Sequence, residues 1–166
     1  DIFLFSYYTR GMNFADIAYL TPENISDGRV NYIRRKTRKP FSIKLLAPAQ
    51  EILDYYLQNN PNKGPYIFPI FDDSIHKTGT QKYHRRKTAL RGYNADLKKL
   101  AEMAGLENSN LTSYVSRHTY ATVQKKAGTN ISLISEALGH QSERVTQIYL
   151  KQFEHTELDE IDENVL

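Results

Sequence analysis

The stretch LTSYVSRHTYATVQKKAGTNISLISEALGHQSERVTQIYL, residues 111–150, predicts three successive helices. Each begins at a polar residue, and glycines end the first two, because glycine adopts the left-handed conformation after a helix without steric cost. The predicted starts are Thr112, Asn130 and Ser142, and the predicted ends are Gly128 and Gly139. This part of the chain is therefore expected to be helical.

Several polar side chains occupy positions in these helices where ordinary explanations exist. Tyr114, Arg117 and His118 have i, i+3, i+4 spacing and so share one helix face. His140 directly follows a helix-ending glycine, and Tyr149 comes nine residues later on the next helix. Taken singly, the first three indicate a solvated helix face. His140 alone indicates a histidine at a helix C-terminus, and Tyr149 alone indicates an aromatic residue of the core. Only their order along the chain favours a functional interpretation.

The chain before residue 111 adds further helices and a small β section. Residues 30–35 and 41–45 alternate in the manner of strands around a basic turn, and the turn signal Asp27-Gly28 precedes them. Helices are predicted over residues 1–9, 13–20, 48–59 and 80–104, with residues 66–79 irregular. The predicted fold class is mainly α with a small antiparallel β-sheet.

The charge distribution indicates a polyanionic partner. Residues 154–166 contain six of the 19 acids and none of the 22 Lys and Arg residues, so residues 1–153 carry 22 bases against 13 acids, a formal charge of +9. Nucleic acid is the usual partner of so basic a body, although a merely soluble cationic surface also fits. The absence of cysteine excludes disulfides, thiolate zinc sites and cysteine nucleophiles, and it fits a reducing cytosol.

The order of five groups along the chain resembles the tyrosine recombinase (phage integrase) family. They are Arg10, Lys36 in the predicted hairpin, Arg117-His118-Thr119, Leu138-Gly139-His140 and Tyr149. Residues 111–150 carry most of the specificity, and the resemblance extends over essentially the whole chain. It implies the catalytic-domain fold of that family for residues 1–166, and we expect the family's N-terminal DNA-gripping domain to be absent from them.

The resemblance implies that Tyr149 cuts and rejoins DNA through a 3′-phosphotyrosyl link. Arg10 and Arg117 are expected to clamp the charge that builds on the phosphate oxygens, because guanidinium groups stay protonated and bind oxyanions through paired hydrogen bonds. Lys36 is the candidate general acid for the departing 5′-oxygen, and His140 is expected to accept the Tyr149 proton or to bond a phosphate oxygen. The covalent link keeps the energy of the phosphodiester bond, so rejoining is expected to need no nucleotide cofactor. No metal ion is expected either.

Two departures from the family pattern concern Tyr114 and Asp16. Tyr114 stands where the family has the His of His-x-x-Arg; it can donate a hydrogen bond to phosphate, but a phenol shuttles protons poorly at neutral pH because it ionises at about pH 10. The family's acid three residues after the first Arg corresponds best to Asp16, six residues after Arg10. Asp16 and His118 are assigned supporting roles. Both departures resemble integrases of mobile transposon-like elements.

Two basic stretches are predicted to contact DNA phosphates. One is the tip of the predicted hairpin, and the other is the beginning of the predicted helix over residues 80–104. For the helix, the competing interpretation is a basic face exposed to solvent. The predicted DNA-binding residues are Arg34, Arg35, Arg38, Lys39, Arg85, Arg86 and Lys87. The histidines and acids show no metal-ligand spacing, which disfavours a metal mechanism.

The acidic segment 154–166 is predicted to form a tail helix with Leu158, Ile161 and Val165 on one stripe. That stripe packs either on its own domain or on a neighbouring protomer. The expected partners are double-stranded DNA and further copies of the chain, in a synaptic tetramer on DNA and as a monomer alone. The expected location is the cytoplasm, at the bacterial nucleoid when the protein acts.

Two other functions stay open from the sequence. A type IB topoisomerase-like enzyme would use the same Tyr, Arg, Lys and His chemistry to relax supercoils, and a DNA-binding module would bind without turnover. The compact chain and the Leu-Gly-His spacing favour the recombinase. A helical protein-interaction domain is disfavoured by the charge of residues 1–153.

Overall fold

A computed structural model describes residues 1–61, 64–106 and 110–151, in two compact units, Asp1–His118 and Thr119–Leu166. The helices are α1 Ile2–Tyr8, α2 Phe14–Ile17, α3 Ala47–Asn59, α4 Gly79–Met103, α5 Val115–Lys126, α6 Ile131–Leu138 and α7 Glu143–Lys151, with a 3-10 turn at Pro22–Asn24. The boundary between the units falls within α5. The predicted tail helix lies outside the described residues.

Three antiparallel strands form one sheet, in the order β1 Ile25–Ser26, β2 Arg29–Ile33 and β3 Pro40–Lys44. Asp27 and Gly28, at φ of 53° and 66°, make the two-residue turn between β1 and β2 that the Asp-Gly signal predicts. Ile33 pairs with Pro40, which leaves residues 34–39 as the loop between β2 and β3. The mainly α fold with a small antiparallel sheet and a basic hairpin tip is confirmed.

Some helix starts differ from the prediction. α5 begins at Val115, three residues after the predicted cap Thr112, whose carbonyl oxygen accepts the Val115 N–H at 2.9 Å. α2 ends at Ile17 because the chain tightens there, with the N–H of Tyr19 donating to the carbonyl of Asp16, three residues back, at 3.1 Å. The sequence pattern extended this helix to residue 20.

Aromatic and aliphatic side chains fill the core of the first unit. Phe5 of α1 and Phe68 are fully buried, and the ring of Phe68 lies 5.1 Å from that of Phe5 and 5.0 Å from that of Tyr56 in α3. Val30 of β2 and Ile43 of β3 contribute the buried face of the sheet, as the alternation of the strands predicts. The sheet and helices α1 to α3 therefore form one continuous support.

Helix α4 buries less than its periodicity suggests. A capping box at Thr78 starts it. The spacing of Leu97, Leu100, Ala101 and Ala104 predicts that all four lie inside. Leu97 and Ala101 are buried, but Leu100 is 55% exposed and Ala104 follows the last helical residue and is also exposed. Leu100 is rotated by about 60–100° from the line of Leu97 and Ala101, which takes it to the solvent side.

The second unit has a smaller core of its own. Its buried hydrophobic side chains are Ala121, Ile134, Leu138 and Leu150. The side chain of Asn130 accepts the Ser132 N–H and Gly139 has φ of 65°, so the predicted start and end of α6 are confirmed. The described residues thus show two hydrophobic clusters, whereas a chain of 166 residues predicts one domain with one core.

Phe68→Ala is expected to lower the free energy of unfolding by about 3–5 kcal/mol, because it leaves a cavity between aromatic rings in the core. Urea denaturation followed by far-UV circular dichroism measures this. Ile75→Ala, at a side chain 63% exposed, is the control and should change the free energy by less than about 0.5 kcal/mol. Equal losses in the two variants would contradict the assignment of the core.

Candidate functional site

The corner after α1 places Arg10 in an unusual backbone conformation. Arg10 and Gly11 have φ of 58° and 68°, so both lie in the left-handed region. For a residue with a Cβ this costs about 1–2 kcal/mol, and such strain concentrates at functional positions. The Gly11 N–H donates to the carbonyl of Ser6 at 2.8 Å and closes the end of α1. The strain is consistent with the predicted role of Arg10.

Arg117 is buried against this corner. Its side chain is 4% exposed, and its Nη1 donates a hydrogen bond to the carbonyl oxygen of Gly11 at 3.0 Å. A Cβ on Gly11 would lie 2.6 Å from Cγ of Arg117, so this approach requires glycine. The hydroxyl oxygens of Ser6 and Ser116 are 2.7 Å apart and join α1 to α5 beside Arg117. Arg10 and Arg117 therefore flank the same backbone corner.

A buried carboxylate, Asp16, balances part of this positive charge. Burial raises the pKa of Asp16, while the hydrogen bond from the Arg35 N–H and the charges of Arg34, Arg35 and Arg117 lower it. The Arg35 N–H lies 2.9 Å from Oδ1 of Asp16. Asp16 thus contacts the β2–β3 loop, and the charge of Arg117 lowers its pKa. Both features are consistent with its predicted supporting role.

The phenol of Tyr32 lies within the same group of charges. Burial raises its pKa, the carboxylate of Asp16 raises it further, and the charges of Arg34, Arg117 and Arg10 lower it. All three guanidinium groups therefore act on the phenol of the half-buried Tyr32. The fold brings Arg10 and Arg117 into one electrostatic cluster, although they are far apart in the sequence.

The β2–β3 loop is basic, but its side chains differ in exposure. Arg35, Lys36, Arg38 and Lys39 are exposed, whereas Arg34 is 7% exposed. Arg34 turns inward because the buried carboxylate of Asp16 attracts its charge. Arg34 thus differs from its exposed neighbours in the loop, and its contact with DNA stays a prediction.

A pocket of about 460 Å³ opens beside this loop. Its lining consists of Asn13, Ala15, Asp16, Arg34, Arg35, Lys36, Arg86 and Tyr114. The proposed general acid, the tyrosine at the family's histidine position and an arginine of α4 thus share one basic cavity. Cationic and hydrogen-bonding groups around a cavity of this kind are suited to an anionic ligand.

Tyr114 and His118 pack against each other at the start of α5. Their ring centroids are 4.6 Å apart and nearly perpendicular, and Tyr114 is 46% exposed. The carbonyl of Tyr114 accepts the N–H groups of Arg117 and His118 at 3.1 and 3.2 Å, which makes Tyr114 the entry to the helix. Burial, followed by the charge of Arg117, lowers the pKa of His118. A neutral His118 fits a supporting role better than direct contact with phosphate.

The basic residues of α4 divide by environment. Nε of Arg85 donates to the carbonyl of Ile70 at 2.9 Å, so this guanidinium group partly serves the protein's own fold. The charged groups of Arg86 and Lys87 lie 5.5 and 4.7 Å from the ring centroid of Tyr83. Arg86 also lines the pocket, and Lys87 is exposed.

His140 and Tyr149 are neighbours in the second unit. Their ring centroids are 5.6 Å apart, with an interplanar angle of 73°. Nδ1 of His140 lies 2.8 Å from Oγ1 of Thr146, a buried residue one helical turn before Tyr149. The ring of Tyr149 packs partly against the small core, and its hydroxyl oxygen is buried. Contacts within the second unit therefore hold the rings of His140 and Tyr149 next to each other.

Several residues of these sites were not singled out by the sequence analysis. Gly11 carries a signal, because it adjoins Arg10 at a helix end. Thr146 carries a weaker one, three residues before Tyr149 on the same face of α7. Tyr32 carries none, since a tyrosine in a strand is ordinary. The predicted catalytic residues Arg10, Lys36 and Arg117 belong to the first unit, and His140 and Tyr149 to the second.

Residues 1–61, 64–106 and 110–151 contain no group of three or more His, Asp or Glu side chains able to hold a metal ion. Over the same part of the chain, none of the helices combines the length and apolar character needed to cross a membrane.

The family model of the phage integrase family matches residues 2–155. Tyrosine recombinase XerD of Brucella suis biovar 1 is 27% identical over 149 residues, which cover 86% of this chain and 44% of that protein. The chain belongs to the phage integrase family, whose members named here are tyrosine recombinases. It spans about half the length of the curated relatives it matches.

Solved structures agree with this assignment at the level of the fold. The crystal structure of XerA recombinase superposes with a TM-score of 0.66 at 21% identity, covering 96% of this chain and 55% of that one. The Tn1549 transposon integrase, solved with transposon right end DNA, gives a TM-score of 0.67 at 14% identity over 89% of this chain and 52% of that one. The predicted recombinase catalytic-domain fold is confirmed.

Gly11→Ala is expected to destabilise the protein more than Gly28→Ala. Both glycines have φ near +67°, at 68° and 66°, but a Cβ at Gly28 meets nothing within 4 Å, whereas one at Gly11 collides with Arg117. Gly28→Ala should therefore show backbone strain alone, about 1 kcal/mol. Urea denaturation measures both, and equal losses would show that Arg117 does not constrain the corner.

Lowering the pH is expected to reduce the free energy of unfolding, because the pKa of His118 is lowered in the folded protein. The unfolded chain binds a proton at this residue below about pH 6.5, before the folded protein does, so stability is present above that pH and is lost as the pH falls below it. His118→Gln should reduce this loss when unfolding free energies are compared between pH 7.5 and 5, with His84→Gln at an exposed histidine as the matched control. A pH-independent difference between parent and His118→Gln would contradict the lowered pKa.

Proposed function

We propose that residues 1–166 form the catalytic domain of a site-specific DNA recombinase or integrase that cleaves and rejoins DNA through Tyr149. The observation that carries this proposal is the hydrogen bond that holds Arg117 against the corner at Arg10 and Gly11, together with a basic pocket that contains Arg34, Arg35 and Lys36. A phosphodiester under attack gathers charge on its non-bridging oxygens, and fixed guanidinium groups stabilise that charge. Family membership supplies the reaction in which such a cluster is used.

In the proposed reaction, the phenol oxygen of Tyr149 attacks phosphorus and the bond to the 5′-oxygen breaks. Lys36 donates a proton to that oxygen, because a lysine ammonium group is protonated at neutral pH. The product is a 3′-phosphotyrosyl link and a free 5′-hydroxyl group. The reverse steps rejoin a DNA strand. The number of phosphate ester bonds is unchanged, so the reaction consumes no nucleotide.

We assign His140 one of two roles in the same step: it accepts the phenol proton of Tyr149 or donates a hydrogen bond to a phosphate oxygen. Its Nδ1 is engaged with Thr146, which orients the ring, and we assign Nε2 to the phenol proton or to a phosphate oxygen. The hydroxyl oxygen of Tyr149 is buried, so attack on DNA requires a rearrangement that exposes it. We assign that rearrangement to DNA binding.

We propose that the pocket receives the scissile phosphate, with Tyr114 donating a hydrogen bond to it. Arg10 and Arg117 clamp the phosphate, while Asp16 and His118 support them. The flanking DNA backbone then meets cations of the loop and of α4, of which Arg34 is buried and the others are exposed or half-buried. The residues assigned to this contact are Arg34, Arg35, Arg38, Lys39, Arg85, Arg86 and Lys87.

Double-stranded DNA is the proposed substrate, and a synaptic tetramer on DNA is the proposed assembly. The DNA in the Tn1549 integrase structure supports the first of these. The second is proposed from the resemblance to the family. We also propose membership of the mobile-element branch, from Tyr114 and from the spacing of Arg10 and Asp16. The proposed place of action is the cytoplasm, on the bacterial nucleoid. The tail 154–166 is proposed as a helix that docks in cis or on a neighbouring copy.

Tyr149→Phe is expected to abolish covalent capture of a nicked suicide substrate, because the attacking oxygen is removed. Denaturing gel electrophoresis detects the protein–DNA adduct. Tyr120→Phe is the matched control, since its ring packs against the same small core, and it should retain the adduct. Arg117→Ala should slow adduct formation by about 100- to 1,000-fold, the usual effect of losing one preorganised donor.

Two outcomes of this experiment favour the alternatives. Tight binding without any adduct from the parent chain would indicate a DNA-binding module. An adduct accompanied by supercoil relaxation, with no exchange between two sites, would indicate a type IB topoisomerase-like enzyme.

A further inference from the structure

Lys36 sits near the tip of a loop that its own short-range hydrogen bonds only partly order. The Arg34 N–H donates to the carbonyl of Lys39, and the Arg38 N–H to the carbonyl of Arg34, both at 2.8 Å. These bonds close the base of the loop and leave Lys36 exposed. A lysine side chain has many rotamers, so a general acid in this position needs its backbone directed towards the pocket.

Arg35, the residue before Lys36, is held at both ends. Its backbone N–H donates to Oδ1 of Asp16 at 2.9 Å, and its guanidinium carbon lies 3.8 Å from the centroid of the Tyr19 ring. The second distance is that of a guanidinium group over an aromatic face. Two contacts from opposite ends of one residue fix the direction in which the chain reaches Lys36.

The Tyr19 ring is itself rigidly supported. Its centroid lies 4.7 Å from that of Phe71 and 5.8 Å from that of Tyr66, in tilted and edge-on arrangements. Phe71 is 1% exposed, and the hydroxyl group of Tyr66 is 3.1 Å from Nζ of Lys82, which pairs with Asp73 at 2.7 Å. Tyr19 is therefore a fixed platform connected to the core of the first unit.

We propose that Tyr19 is a positioning residue that acts through the guanidinium group of Arg35 to hold Lys36 in the pocket. The proposal rests on the role of Lys36 as general acid proposed above. Tyr19 is half-buried beneath Arg35, so it supports the loop from below. The edge of the guanidinium group keeps its donors for a phosphate, which reconciles this contact with the DNA-binding role assigned to Arg35.

The test compares two nicked suicide DNAs that differ in the leaving atom at the cleavage site, an ordinary 5′-oxygen or a bridging 5′-sulfur. A thiolate leaves without a proton, so the sulfur substrate does not need the general acid. The variants of the 166-residue chain are Tyr19→Leu, which keeps apolar volume without an aromatic face, and Tyr19→Phe, which keeps the face. Lys36→Ala is the reference, and Tyr55→Leu, at a tyrosine 57% exposed on α3, is the matched control.

Tyr19→Leu is expected to slow cleavage of the oxygen substrate by about 2- to 30-fold, the range of a lost cation–π contact, and to cleave the sulfur substrate at the parent rate. Tyr19→Phe and Tyr55→Leu should cleave both at the parent rate. Lys36→Ala should lose about 100- to 10,000-fold on oxygen and recover on sulfur. Far-UV circular dichroism of each variant verifies folding.

The contrary outcomes separate the two proposals. Recovery of Lys36→Ala on sulfur, with Tyr19→Leu either unaffected or equally slow on both substrates, overturns the positioning role alone. Failure of sulfur to restore Lys36→Ala overturns the role of Lys36 as general acid and the positioning role with it. Absence of an adduct from the parent chain on both substrates overturns the enzymatic proposal as a whole.

Discussion

Guanidinium groups repel one another, and their convergence in a folded protein requires a buried acceptor. Asp16 supplies a carboxylate that is 5% exposed between Arg34, Arg35 and Arg117. Burial raises the pKa of Asp16, and the arginine charges oppose that rise, so each sign makes the burial of the other less costly. The start of α5 and the β2–β3 loop both depend on this balance, because each contributes a cation to it.

Backbone geometry decides how close these groups come. Because Gly11 has no Cβ, the side chain of Arg117 can lie against the Gly11 backbone and donate to the Gly11 carbonyl oxygen at 3.0 Å. The neighbouring Arg10 accepts a left-handed conformation in the same turn. The hydroxyl contact between Ser6 and Ser116 joins the two helices beside it, so the spacing of the two arginines is a property of the core and not of flexible side chains.

Local pattern predicted the fold class, the hairpin and the limits of α3, α4 and α6, because periodicity and caps are recorded in neighbouring residues. The candidate arginines, the lysine and the His140–Tyr149 pair came from the resemblance to the family, through their order along the chain, and their roles stay predictions. Local pattern missed the inward turn of Arg34 and the place of Tyr32, because both arise from charges that tertiary packing brings together. The exposure of Leu100 was missed for a similar reason: periodicity identifies an apolar stripe but not how much of it a partner covers.

The buried hydroxyl oxygen of Tyr149 has a consequence for the proposed reaction. On that proposal, a chain bound at non-cognate DNA leaves the duplex uncut, because cleavage waits for a rearrangement of α7. The packing of α7 residues against Ile134 and Leu138 restrains this rearrangement. Substitutions that weaken this packing would then raise cleavage at non-cognate sites before they lowered activity at the cognate one.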